Sequence, residues 1–202
     1  MSLSSGKGQN PYPGEEAMTN TLMKISLAAC CLLFTGMIEH GGGHATPAQV
    51  VALDECDPAT FNVPGAVGPG FCKNVALGYA PFGSTTTFAN LFAEAGKGTP
   101  DKNWDFEPDT LTVDEGTAII AVNEGGEPHT FTEVAHFGGG FIPPLNYNES
   151  AAPECAEGFS SVAVARTRIL QGSQLQVTGL SKGEHLFECC IHPWMRVKVE
   201  VK

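Results

Sequence analysis

The chain has 202 residues, of which 24 are glycine and 14 proline, with a formal net charge of −11. That length suits one domain with an appendage, and the Gly/Pro content excludes a helical bundle in favour of short strands and turns. The acidic balance excludes a nucleic-acid partner and points to a soluble protein that meets basic surfaces.

The N-terminus reads as an export signal. Residues 1–17 are polar and Gly/Pro-bearing, a leader or a start placed too early. Met18 to Lys24 is a short, weakly basic stretch, and Ile25 to Ile38 is an uncharged apolar run of fourteen residues. Such a run is too short to span a bilayer comfortably and about right for a signal h-region. A cut after Ala45 is expected. The competing readings are an uncleaved anchor and a lipoprotein box ending at Cys30, although the apolar run continues past that cysteine. Residues 1–45 are therefore assigned to leader and signal. The mature protein is expected outside the cytoplasm, periplasmic or extracellular, with no membrane span.

Export changes the meaning of cysteine. Cys30 and Cys31 leave with the signal, and Cys56, Cys72, Cys155, Cys189 and Cys190 remain. In an oxidising compartment that is two disulfides and one thiol. Residues 46–104 form a loop-rich N-terminal extension expected to pack on the domain that follows. Within it Cys56 and Cys72 bracket a Gly/Pro-rich loop and are expected to pair. Phe88, Leu91, Phe92 and Ala95 then fall at i, i+3, i+4 and i+7, the mark of a short amphipathic helix.

From about Trp104 the pattern turns to strands. Runs near 109–113, 117–123 and 128–134 are split by "DEG" and "EGGEP" turns. A long irregular connection, 136–160, is followed by "SVAVARTRIL", "SQLQVTGL", "HLFECC" and "MRVKVEVK". In the last, Val197, Val199 and Val201 share one face. The reading is all-β: an antiparallel Greek-key β-sandwich over residues 105–202.

The donor-rich stretch is "FECCIHPWM". If "HLFECC" is a strand, Cys189 shares the inward face of Phe187 and His185, while Cys190 points the other way. Cys155 is the one unassigned partner for Cys190, so Cys155–Cys190 is expected and Cys189 stays free. His192 and Met195 follow Cys189 at steps of three, in a loop stiffened by Pro193. Thiolate, imidazole and thioether make a soft set that suits copper, and trigonal His₂Cys with a long axial Met is the blue-copper pattern. The second histidine is expected to be His129, at a turn-to-strand junction, with His136 as competitor. A structural zinc site on Cys189, Cys190 and His192 is the alternative, against which adjacent strand residues point apart. His185 shares the Cys189 face and is read as packing. Glu127, Glu133 and Asp114 are read as a solvated face.

These residues resemble a known family. "Cys-x-x-His-Pro-Trp-Met" at 189–195, with "His-Thr-Phe" at 129–131 six residues after Asn123, is similar to the cupredoxins, the small blue copper proteins, and most similar to their amicyanin-type loop. The resemblance covers roughly residues 105–202. It implies an eight-stranded sandwich with copper near one end, one type 1 copper per chain, His129, Cys189 and His192 as strong ligands, and Met195 as weak axial ligand.

The expected function is transfer of single electrons between redox partners, not catalysis. Asn123 and the Thr130 N–H are candidate donors to the Cys189 sulfur. A redox protein is expected to dock at the exposed edge of His192, beside Pro193 and Trp194. The alternative is an exported copper carrier or buffer with the same ligands. An oxidoreductase subunit is disfavoured, because no His-Cys-His run leads to a second copper cluster.

Overall fold

The computed structural model describes residues 46–73 and 85–202. The expected leader, the signal run and the cut after Ala45 lie outside the described residues. Among the described residues no helix is long and apolar enough to cross a membrane.

The strands are β1 (Ala48–Leu53), β2 (Asp105–Glu107), β3 (Thr110–Val113), β4 (Ile119–Asn123), β5 (His129–Thr130), β6 (Thr132–Val134), β7 (Arg168–Ile169), β8 (Gln174–Val177), β9 (Gly183–Glu188) and β10 (Arg196–Val201). Two four-stranded sheets, in the orders β2-β1-β4-β8 and β3-β10-β9-β6, form the sandwich, and β5 and β7 make a small pair. Phe106, Phe131 and Phe187 fill its centre: Phe131 stacks on Phe187 at 4.4 Å and meets Phe106 edge-on at 5.4 Å. The alternation expected of β10 is present, with Val197, Val199 and Val201 buried and Lys198 exposed.

Three differences from the sequence reading bear on the site. First, the pairing is mixed, because β1 runs parallel to β4 and β3 parallel to β10. Parallel neighbours need a long crossover, and both pairs are separated by long stretches of chain; hydrophobic alternation carries no information on direction. Second, the 46–104 segment does more than lie on the sandwich. Its β1 is an interior strand, hydrogen-bonded to β2 on one side and β4 on the other. Val50 and Ala52 point into the core on the alternate positions of that strand.

Third, "SVAVARTRIL" is not one strand. Ser161 caps a helix, α3 (Val162–Thr167), by accepting the Ala163 N–H at 3.2 Å, and only Arg168 and Ile169 are extended. An N-cap serine ahead of alanines outweighs a Val-x-Val alternation. Val164 is buried, whereas Val162 is 63% exposed, as a helix and not a strand would place them. The expected run at 128–134 is likewise broken at Phe131, with β5 pairing β7 and β6 pairing β9.

The extension supplies two more helices, α1 (Pro58–Phe61) and α2 (Phe88–Ala95), the second within the residues predicted. Thr87 caps α2 by accepting the Asn90 N–H, and the helix buries Leu91 and Ala95. Phe88 meets Phe61 of α1 edge-on at 5.2 Å. Both expected disulfides are present, Cys56–Cys72 and Cys155–Cys190, and Cys189 is free and buried.

Candidate metal centre

Cys189 follows β9 at the end of the sandwich. Its N–H donates to the Met195 carbonyl at 3.0 Å, and the Met195 N–H donates to the His192 carbonyl at 3.0 Å. These two bonds close residues 189–195 into a tight loop, which turns His192 back toward the cysteine. The opposite wall is β5. The Thr130 hydroxyl accepts the Cys190 N–H at 2.8 Å, and the Thr130 N–H donates to the Cys189 sulfur at 3.5 Å. The register thus sets His129 beside Cys189.

The outcome is a cluster of three donors. Cys189 Sγ lies 3.7 Å from His129 Nδ1 and 3.9 Å from His192 Nδ1, and all three ligand atoms fall within 4.8 Å of one another. An ion about 2.0 Å from imidazole nitrogen and about 2.3 Å from sulfur, at trigonal angles, needs such donors about 3.7 Å apart. The spacing fits a metal of that size, and the soft donor set fits copper. Met195, the fourth expected donor, is fully buried in the same core.

The remaining candidates fall elsewhere. His136 is exposed and outside the cluster. His185 bonds Glu133 at 2.6 Å and the Ser181 carbonyl at 2.8 Å. Cys190 points away from Cys189, as expected, but not to solvent. It lies under the 136–167 segment, in a small cluster with Val134, Ala152, Cys155 and Val164. That segment approaches closely because residue 140 is glycine: a Cβ there would collide with the Cys190 carbonyl, and the Phe141 N–H donates to that carbonyl at 2.9 Å. Cys190 is thereby removed from any zinc set.

Two second contacts of the ligands correct the sequence reading. Asn123 does not reach the sulfur. Its Nδ2 donates to the carbonyls of Glu127 at 2.7 Å and Ile169 at 3.0 Å, and its Oδ1 accepts the Gly125 N–H at 2.9 Å. It fixes the turn that delivers His129, while Thr130 alone of the two expected donors serves Cys189. Nor is the His192 edge exposed: the residue is only 1% accessible. Trp104 meets its ring edge-on at 4.6 Å, and Glu127 Oε2 lies 3.4 Å from its Nε2.

Glu127 is therefore no part of a solvated face; it is 2% exposed. On the other histidine, Asp54 Oδ2 lies 2.8 Å from His129 Nε2 and also accepts the Glu127 N–H at 2.9 Å. Asp54 sits just past β1, and residue 125 must be glycine because a Cβ there would strike its carboxylate. Asp54, Glu127 and Trp104 were not legible as site residues. Nothing in "LDEC" or "GGEPH" distinguishes a buried carboxylate from a solvated one.

The electrostatics are tightly coupled. Burial pushes the Cys189 thiol up, but hydrogen bonds from His129 and His192 outweigh it and hold the thiol well below its ordinary range. Burial pushes His129 down, yet the Asp54 hydrogen bond and the sulfur lift it to about 10. Burial also pushes Asp54 up, and His129 with two backbone N–H groups brings it below the usual carboxylate value. Glu127 stays raised, because burial exceeds what His192 returns. A thiolate held ready between two imidazoles is the form that ligates metal.

No family model and no curated protein matches the chain. Solved structures do. The chain is similar to a purple cupredoxin from Nitrosopumilus maritimus, at 13% identity over 77% of this chain and 99% of that one, with a TM-score of 0.36. It is also similar to reduced amicyanin variants. One is 21% identical over 48% of this chain and 73% of that one, another 22% identical over 50% and 76%, each with a TM-score of 0.32. At these TM-scores the likenesses decide nothing about chemistry, and what this β-sandwich does rests on its own buried Cys and His donors.

Proposed function

We propose that this chain is a type 1 copper protein that carries single electrons between redox partners outside the cytoplasm. The observation that carries the reading is the set of Cys189 Sγ, His129 Nδ1 and His192 Nδ1, within 4.8 Å of one another on residues no more than 1% exposed. When bound, copper supplies a one-electron couple between Cu(II) and Cu(I). Cys189, His129 and His192 would hold it, with Met195 as the weak axial donor.

The residues around the ligands suit that task. A single electron arrives and leaves with no bond made or broken, so the chain must keep one geometry for both oxidation states. The 189–195 loop is locked by two backbone hydrogen bonds. The Thr130 N–H stabilises thiolate charge on the sulfur, a contact of the kind that tunes a copper–thiolate potential. Full burial of the donors favours retention over release, which favours the electron carrier over the copper carrier or buffer.

Since His192 is covered, the docking partner would meet the protein at its neighbour. Trp194 is half-buried, its ring 5.5 Å from that of His192, and its Nε1–H donates to the Trp104 carbonyl at 3.0 Å. With Pro193 and Arg196 it lines a shallow cavity of about 140 Å³. On this reading the redox partner would dock there, and a basic partner surface suits the net charge of −11. Two disulfides support the exported location.

The test is copper loading of the purified mature protein. An intense visible thiolate-to-copper absorption, absent in Cys189→Ser and present in Cys190→Ser, is the expected result, together with a reversible one-electron couple. A colourless copper complex, or rapid loss of copper to a competing chelator in either oxidation state, would overturn the electron-carrier reading.

A further inference from the structure

Both ligand histidines have a carboxylate behind them. His129 Nε2 meets Asp54 Oδ2 at 2.8 Å, and His192 Nε2 faces Glu127 Oε2 at 3.4 Å. The four side chains are essentially sealed from water, at 4% exposure or less. An ionised carboxylate only accepts, so each Nε2 keeps a proton, and a metal that displaces the proton from Nδ1 would meet the lone pair there. The two Nδ1 atoms are the ones that converge on Cys189.

Burying two carboxylates in one place is costly unless each is paired. Asp54 is well satisfied: it accepts from His129 and from the N–H groups of Glu127 and Cys56. Glu127 is not. Among the described residues its Oε1 has no hydrogen-bond partner. A half-satisfied buried acid does not arise from packing alone, and its one side-chain contact of consequence is His192. The arrangement is also imposed from two separate places in the sequence, the end of β1 and the turn before β5.

We propose that Asp54 and Glu127 are positioning residues of the metal centre, which fix the Nδ1 faces of His129 and His192 toward the metal and shift its couple toward the oxidised state by standing two anions behind the imidazoles. Carboxylates hydrogen-bonded to the far nitrogen of a ligand histidine orient the ring and raise its basicity. Added negative charge in a water-poor site favours Cu(II) over Cu(I), because the higher cation charge gains more from it. Asp54, at the shorter distance, has the larger effect. This inference rests on the copper reading above.

The experiment compares Glu127→Gln and Asp54→Asn with the parent protein, and Glu133→Gln as control. Each of the two site substitutions keeps a carbonyl acceptor for the histidine Nε2–H and loses only the charge. The control removes an equal charge remote from the ligands, beside His185. The expected result is a higher reduction potential in both site variants, by at least a tenfold change in the Cu(II)-to-Cu(I) affinity ratio, which is about 59 mV for one electron, and none in the control. Asp54 also holds two backbone N–H groups, so its variant is the one at risk of misfolding, and Glu127→Gln carries the decision. Glu127→Ala removes the acceptor as well, and should lower Co(II) affinity, read by titration without copper, about 10–100-fold. A potential unmoved in Glu127→Gln, or Co(II) affinity unchanged in Glu127→Ala, overturns the inference while a blue, reversible parent protein leaves the copper reading standing. A parent protein without the thiolate absorption would instead sink the copper reading itself.

Discussion

Two neighbouring stretches of the chain bury their side chains by different rules. In β10 burial alternates, Val197, Val199 and Val201 inside with Lys198 exposed between them. From Phe187 to Pro193 seven consecutive residues are buried, charged and apolar alike. The first is a strand with protein on one face and water on the other. The second has protein on both faces: the sandwich core takes Phe187 and Cys189, and the 136–167 segment, tied down by Cys155–Cys190, covers Glu188 and Cys190. Hydropathy reads the first arrangement and is blind to the second.

Four experiments would break or sharpen that contrast. The largest effect is expected inside the doubly covered stretch. Phe187 is 1% exposed and stacked on Phe131, so Phe187→Ala should cost about 3–5 kcal/mol in urea unfolding. A loss below about 1 kcal/mol would show that the stretch is buried but not tightly packed.

Next come the disulfides. Cys155–Cys190 closes 35 residues and Cys56–Cys72 closes 16. Chain entropy gives about 4 kcal/mol for the first and about 3 kcal/mol for the second, before native strain. Replacing both cysteines of each pair by alanine in turn, and comparing denaturant midpoints, tests that order. Proteolysis of the Cys155/Cys190 double variant should cut first within 136–160. Equal cleavage in the parent protein would mean that the bridge does not hold the cover in place.

A smaller effect concerns pH. Burial pushes Glu188 up to about 7, with the Gly138 N–H and Arg196 only partly opposing it. Its ordinary value is 4.5, so between about pH 4.5 and 7 the folded protein holds a proton that the unfolded chain has lost. Stability contributed by this group therefore falls as pH rises through that window. Glu188→Gln should flatten this part of the stability-versus-pH curve and raise stability above about pH 7. An unchanged curve would place the Glu188 carboxylate in a more polar setting than its burial implies. The smallest effect belongs to the one-sided strand. Lys198 pairs with Glu184 at 2.9 Å, both half-exposed, and Lys198→Ala should cost under about 1 kcal/mol. A larger loss would mean that the outer face of β10 is covered too.

The site was legible in the sequence to the extent that it lies in contiguous chemistry. Cys189, His192 and Met195 sit in one seven-residue loop, and their order and spacing carry soft-metal chemistry without reference to any distant residue. His129 followed from a turn-to-strand junction, and the odd cysteine from export. The strand phase that separates Cys189 from Cys190 is a local property of an extended backbone, as is the amphipathic spacing of α2. The 162–167 helix was missed because alanine and valine in alternation satisfy both periods, and Ser161, whose cap decides between them, was read as part of the strand.

What the sequence determined by itself is therefore the β class, the disulfide pairing and the candidate donors, each read from residue type, cysteine count and strand phase. Tertiary structure alone decided the rest. It threads Ala48–Leu53 between β2 and β4, antiparallel to the first and parallel to the second, an arrangement that no local pattern encodes. By doing so it brings Asp54 from 75 positions away onto the back of His129, and folds Trp104 and Glu127 over His192. A carboxylate's surroundings, and hence whether it is a solvated charge or the buried partner of a histidine, belong to the space around it and not to its neighbours in the chain.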